Sequence, residues 1–173
     1  MRIQLAHFPA LILLLSFLPA TPGVAAQDRK ISKNDVPAPV LEAFARAYPH
    51  ATIRGTSTEV ENGRTYYEIE SLDGTQARDI LYLPDGTAAE IEEVVAATAL
   101  PAPVKRGVEN EFAKAKIAKA EKVTKGTQIS YEVHVSQGSK TGSIVVDPSG
   151  KVLKKSPLSE KKQMEEHEDE EDD

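Results

Sequence analysis

The chain has 173 residues, room for one ordinary domain or two small ones sharing a core. Apolar residues make up 40% and charged ones 28%, enough to fold with a polar lean. There is no cysteine, which excludes disulfides, thiolate metal sites and thiol catalysis; the formal charge of −6 is unevenly divided along the chain.

Met1-Arg2 is followed by an apolar, leucine-rich run from Phe8 to Ala20 and by small residues, Thr21-Pro22-Gly23-Val24-Ala25-Ala26. This reads as a signal peptide, residues 1–26, cleaved before Gln27. The run is too short and too proline-interrupted for a comfortable membrane span, and no second apolar run follows. The expected product is periplasmic or secreted, with no membrane span after processing. Residues 27–35 are polar and read as a leader.

Asn34-Asp35 ahead of Val36-Pro37 is a helix-start signal: a capping side chain, then proline in the first turn, where its missing N–H costs nothing. Val40, Phe44 and Tyr48 recur every four residues beside Leu41 and Ala47, which predicts a helix to about Ala47 with one apolar stripe. Four extended segments follow, Thr52–Glu61, Arg64–Leu72, Gln76–Leu83 and Thr87–Val95. Asn62-Gly63, Asp73-Gly74 and Asp85-Gly86 separate them, and these pairs favour the positive φ angles of tight hairpins.

Sixty-four residues later the chain repeats itself without a gap. Val36-Pro37-Ala38-Pro39-Val40 corresponds to Leu100-Pro101-Ala102-Pro103-Val104, Tyr67-Glu68 to Tyr131-Glu132, Ile80 to Ile144, and Pro84-Asp85-Gly86 to Pro148-Ser149-Gly150. In the second copy Val104, Val108 and Phe112 form the helical stripe. A repeat this long is one supersecondary unit used twice. The predicted fold is α+β: two tandem repeats, residues 36–98 and 99–156, each one helix packed on a four-stranded antiparallel meander sheet. About 60 residues is marginal for standing alone, so the copies should join into one sheet or a tightly packed pair. Pro157 closes the second repeat, and residues 157–173 read as an acidic, disordered tail.

Alternation assigns the faces. Tyr67 and Ile69 point to one side and Tyr66, Glu68 and Glu70 to the other; in the second copy Ile129, Tyr131, Val133 and Val135 oppose Ser130, Glu132 and His134. The apolar side belongs under the helix, with Tyr67 and Tyr131 in the core, and the polar side faces water. From Val36 to Val95 there are 11 acidic and 4 basic residues; from Leu100 to Lys155, 5 acidic and 11 basic; after Leu158, 9 acidic and 2 basic. A dipolar body of this kind favours oriented encounter with a charged partner. It also suggests the acidic tail lying against Lys114, Lys116, Lys119, Lys122 and Lys125.

The Val-Pro/Leu-Pro helix opening, the Tyr-Glu strand and the Pro-x-Gly turn, in tandem over about residues 35–156, resemble the PepSY-like proteins, also called β-lactamase-inhibitor-like. The resemblance implies a tandem fold like that of the secreted β-lactamase inhibitor protein, with helices on one face and a concave sheet free to grip a partner. It carries no catalytic residues. The chain lacks that inhibitor's disulfides and a conspicuously aromatic sheet face, which weighs against lactamase inhibition itself.

No serine sits in a Gly-x-Ser-x-Gly elbow, and His50, His134 and His167 fall in unrelated contexts, so nucleophilic catalysis has no signature. Glu68 and Glu70, about 7 Å apart on one strand face, have the spacing of an acid/base pair but read as solvated carboxylates. Glu132 and His134 could hold a divalent ion only if Glu68 or Glu70 came to them; no metal and no cofactor is assigned. Glycines in hairpin turns and sparse aromatics give no phosphate or nucleic-acid site. The expected function is a non-enzymatic, monomeric binding module, an inhibitor or modulator of an envelope or secreted protein. Its expected contact residues are Tyr66, Glu68, Glu70, Ser130, Glu132 and His134. The alternative is an envelope sensor of a small ligand or divalent cation.

Overall fold

Residues 29–61 and 63–160 are described by a computed structural model. Their strands are β1 Arg29–Lys30, β2 Thr52–Glu61, β3 Arg64–Asp73, β4 Gln76–Tyr82, β5 Ala88–Val94, β6 Lys116–Lys125, β7 Gln128–Gln137, β8 Lys140–Val146 and β9 Val152–Glu160. All nine form one antiparallel sheet in which neighbours in sequence are neighbours in space. Of the two arrangements the sequence left open, the single continuous sheet is the one adopted. Helix α1, Ala38–Ala47, precedes β2, and α2, Ala102–Glu111, precedes β6.

Both helices start from a Pro-Ala-Pro turn, with a second proline early in the first turn, where no N–H is needed. The expected cap does not form. Asn34 and Asp35 lie in a separate 3₁₀ turn, Lys33–Asp35, capped by Ser32, whose Oγ accepts from the Asn34 N–H at 3.3 Å. Pro37 stands between that turn and α1, and it disfavours the helical conformation in the residue before it.

The helices cover one face. Val40 and Phe44 pack with Ile69, Ile80 and Tyr82; Val104, Val108 and Phe112 pack with Val133, Val135, Ile144 and Val146. Ile69 and Val133 are fully enclosed, whereas Tyr67 and Tyr131 lie at the margins of these clusters and are only half-buried. The tyrosines were expected to form the core; each keeps the predicted face but sits towards the open hairpin end of its strand.

Between the clusters the same face is polar. The Arg78 Nε donates to Glu93 at 3.0 Å, Lys122 lies 3.6 Å from the other Glu93 oxygen, and the Arg78 guanidinium sits 5.1 Å from the Tyr48 ring centre. Charge thus fills the seam where β5 of the first half meets β6 of the second.

Two expected boundaries move. The leader contributes an edge strand, since Arg29–Lys30 pair with Ser57 and Thr58. At the other edge β9 continues through Pro157 to Glu160 and does not stop at the proline. The register shifts between Thr141 and Ser143, where Pro157 and Leu158 of β9 stand against the single residue Gly142; an edge strand at a bulge tolerates a residue without an N–H. The predicted signal peptide and the rest of the tail, residues 161–173, lie outside the described residues.

Candidate functional site

The candidate site is the face of the sheet opposite the helices. Tyr66, Glu68 and Glu70 on β3 and Ser130, Glu132 and His134 on β7 all project there, as alternation predicts. They do not meet. Three strands separate β3 from β7, a distance of about 19 Å at ordinary strand spacing. Glu68 and Glu70 therefore cannot join Glu132 and His134 in one metal site. Glu68 accepts a hydrogen bond from Ser57 Oγ at 2.5 Å, and the Glu70 carboxylate lies over Gly55.

Asp79 on β4, Glu92 on β5 and Glu121 on β6 fill the interval, three residues that alternation within one strand does not mark out. Each can offer a carboxylate oxygen, and the three oxygens lie within 4.8 Å of one another. Asp79 stands directly opposite Glu70 on one side and Glu92 on the other; Glu121 stands directly opposite Glu132. Like charges directly opposed across strands are destabilising, and here they form two runs, one over β3–β5 and one over β6–β7, with Glu92 facing Val123 and Glu121 facing Val94 between them.

Burial sharpens the effect. Glu121 is only 3% exposed, with Lys119 Nζ 2.7 Å from Oε1 and His134 Nε2 4.0 Å from Oε2. Glu92 is pushed up to about 7, first by its burial and then by Glu121, Glu90, Glu132 and Asp79. Burial also raises Asp79, with Glu68, Glu70 and Glu121 adding to it and Lys119 opposing. The two predicted triplets thus flank a half-buried acidic row, and charge links them to it.

A signal for the row exists in the repeat. Sixty-four residues away from Asp79, Glu92 and Glu121 stand Ser143, Ser156 and Ser57. The three acids occupy the inner strands, and their serine counterparts occupy β8, β9 and β2. Only the strand order shows that the substitutions converge, because β5–β6 pairing is what joins the halves.

The chain belongs to the family described as "Putative beta-lactamase-inhibitor-like, PepSY-like", which matches residues 23–82 and 65–154. Two matched regions fit a unit used twice. No curated protein matches the chain. Among solved structures, one from Bacteroides eggerthii described as a putative periplasmic protein is 19% identical, with a TM-score of 0.59 over 69% of this chain and 87% of the other. A DUF2874 family protein from Bacteroides uniformis is 17% identical, with a TM-score of 0.59 over the same shares. A BLIP-like protein from Bacteroides fragilis is 15% identical, with a TM-score of 0.56 over 74% of this chain and 90% of the other. At these identities the likeness is one of fold. Among the described residues no helix is long and apolar enough to cross a membrane.

Proposed function

We propose that the chain is an exported, non-enzymatic protein-binding module, an inhibitor or modulator of an envelope or secreted protein, that takes its partner on the helix-free face of the sheet. Residues 36–98 and 99–156 act as two repeats placed side by side for this purpose, behind a signal peptide. Tyr66, Glu68 and Glu70 form one flank of the contact and Ser130, Glu132 and His134 the other. The family description and the periplasmic description of a structural neighbour both support this reading.

One observation carries it. Opposed carboxylates at Glu70, Asp79 and Glu92, and at Glu121 and Glu132, cost stability, and the serines equivalent to Asp79, Glu92 and Glu121 in the other repeat avoid that cost. Local arrangements that oppose folding concentrate where function needs them. A partner presenting basic side chains to the row would relieve the repulsion, while Tyr66 supplies an aromatic anchor at its edge. The test is affinity capture from an envelope extract with the wild-type chain beside Tyr66→Ala. The expected result is one band that weakens with the variant and with added salt, while circular dichroism stays unchanged. Identical captures by both chains would remove the assignment of this face.

A second reading follows from the 4.8 Å grouping of Asp79, Glu92 and Glu121, which is compact enough to hold a divalent cation if Lys119 swings away from Glu121. Calorimetry with calcium and with zinc separates the two. Heat that disappears in Glu92→Gln supports the cation reading, and no heat at millimolar metal removes it.

A further inference from the structure

The sheet has a second surface of interest at its first edge, on the helix side. β1 covers only Ser57 and Thr58 of β2, and the Ile31 N–H donates to the Thr56 carbonyl at 3.0 Å before the chain turns into the 3₁₀ turn. From Thr52 to Gly55, among the described residues, no strand lies on the outer side of β2. Between this bare edge and α1 runs a groove of about 840 Å³. Leu41, Phe44, Tyr48 and Ile53 line it, and Lys33 and Arg54 also border it. Arg54 is the extra residue of a β-bulge between Ile53 and Gly55, a distortion that re-aims a side chain. Both cations are exposed.

The second repeat is an internal control. Its strand β6 has the same bulge, between Ile117 and Lys119. At the equivalent positions, however, Leu41 becomes Lys105, Ala45 becomes Glu109, Lys33 becomes Ala97 and Arg54 becomes Ala118. All four differences run one way. The first repeat has an apolar floor with a cationic rim; the second has charge on the helix and alanines at the rim.

We infer that this groove binds an extended peptide that adds to the Thr52–Gly55 edge of β2, placing a large apolar side chain against Leu41 and Phe44 and a neighbouring carboxylate against Lys33 and Arg54. A bare strand edge supplies backbone donors and acceptors in register with an extended chain, which a hydrocarbon ligand cannot use. The apolar floor selects the side chain, and the two cations on the rim select an acidic residue or a C-terminal carboxylate. This surface is separate from the helix-free face, so its fate does not depend on the function proposed for that face.

The experiment is selection of a random heptapeptide phage library on the chain from Gln27 onward, which keeps every described element, followed by fluorescence anisotropy with the enriched peptides. The expected peptides pair a large apolar residue with Asp, Glu or the C-terminus. Their affinity should fall at least tenfold in Arg54→Ala and in the double variant Leu41→Lys, Ala45→Glu. Both import residues that the second repeat already carries at the same places, and an unchanged circular dichroism melt in each variant excludes loss of folding as the cause. Tyr66→Ala, on the other face, should leave it unchanged. No enrichment, peptides without a carboxylate, affinity indifferent to both variants, oleate binding in place of peptides, or self-association through this edge would each overturn the inference.

Discussion

Between about pH 4.5 and 7 the folded chain keeps on Glu92 a proton that the unfolded chain releases, because its folded value of about 7 lies above the ordinary 4.5. Stability from this group is thus full below about pH 4.5 and is lost as the pH rises through 7. Glu92→Gln should therefore melt close to wild type at pH 5 and higher than wild type at pH 8. The gain should be about 1 kcal/mol, discounted because the side chain is half-exposed and partly screened, or about 2–4 °C in Tm. Thermal melts at the two pH values check it, and equal shifts at both would mean the carboxylate is already solvated. The alternation around Asp79 and Glu92 was visible in the sequence, as it was for Glu68 and Glu132. What could not be read was that β5 and β6 bring Glu121 beside them.

At the scale of elements, each helix is pinned by the hairpin that follows the third strand of its half. Gly86 and Gly150 have φ of 85° and 92°, and a Cβ on either would run into the carbonyl of Pro39 or Pro103 at the start of its helix. The Pro-x-Gly turn and the Pro-Ala-Pro opening are thus two sides of one contact, made twice. Gly86→Ala and Gly150→Ala should each destabilise by more than about 1 kcal/mol, since backbone strain and a clash add. Gly74→Ala, also at positive φ but in open space, should cost less. Urea denaturation of the three variants ranks them. Helices, strands and hairpin glycines were legible because period and turn chemistry are local. β1 and the end of β9 were not, because a two-residue strand and a proline-bearing edge take their structure from the strand beside them.

Across the whole molecule, the division of charge acquires a structural use. The acidic first half and basic second half meet at β5–β6, where Lys125 lies 2.8 Å from Glu90 on the open face and Lys122 lies 3.6 Å from Glu93 on the helix face. Lys119 is taken up by Glu121. Three of the five lysines to which the acidic tail was expected to attach already have carboxylate partners within the sheet. Each of these pairs keeps its lysine partly in water, which screens it and limits what it contributes singly. A double-mutant cycle on Glu90 and Lys125 should give a coupling of about 0.5 kcal/mol that shrinks in high salt. A coupling of zero at low salt would return the charge division to a role in steering alone.

The amino-acid sequence by itself determined the repeat, the helices, the hairpins and which side chains share a face, because each depends on residues a few positions apart and on the chirality of the chain. Only the tertiary structure decided that the two halves share one sheet, that three acids converge at their seam and that, among the described residues, the first strand edge lies bare beside an apolar groove. Those depend on which strands become neighbours, and that pairing joins residues far apart in sequence, beyond the reach of local period and turn chemistry.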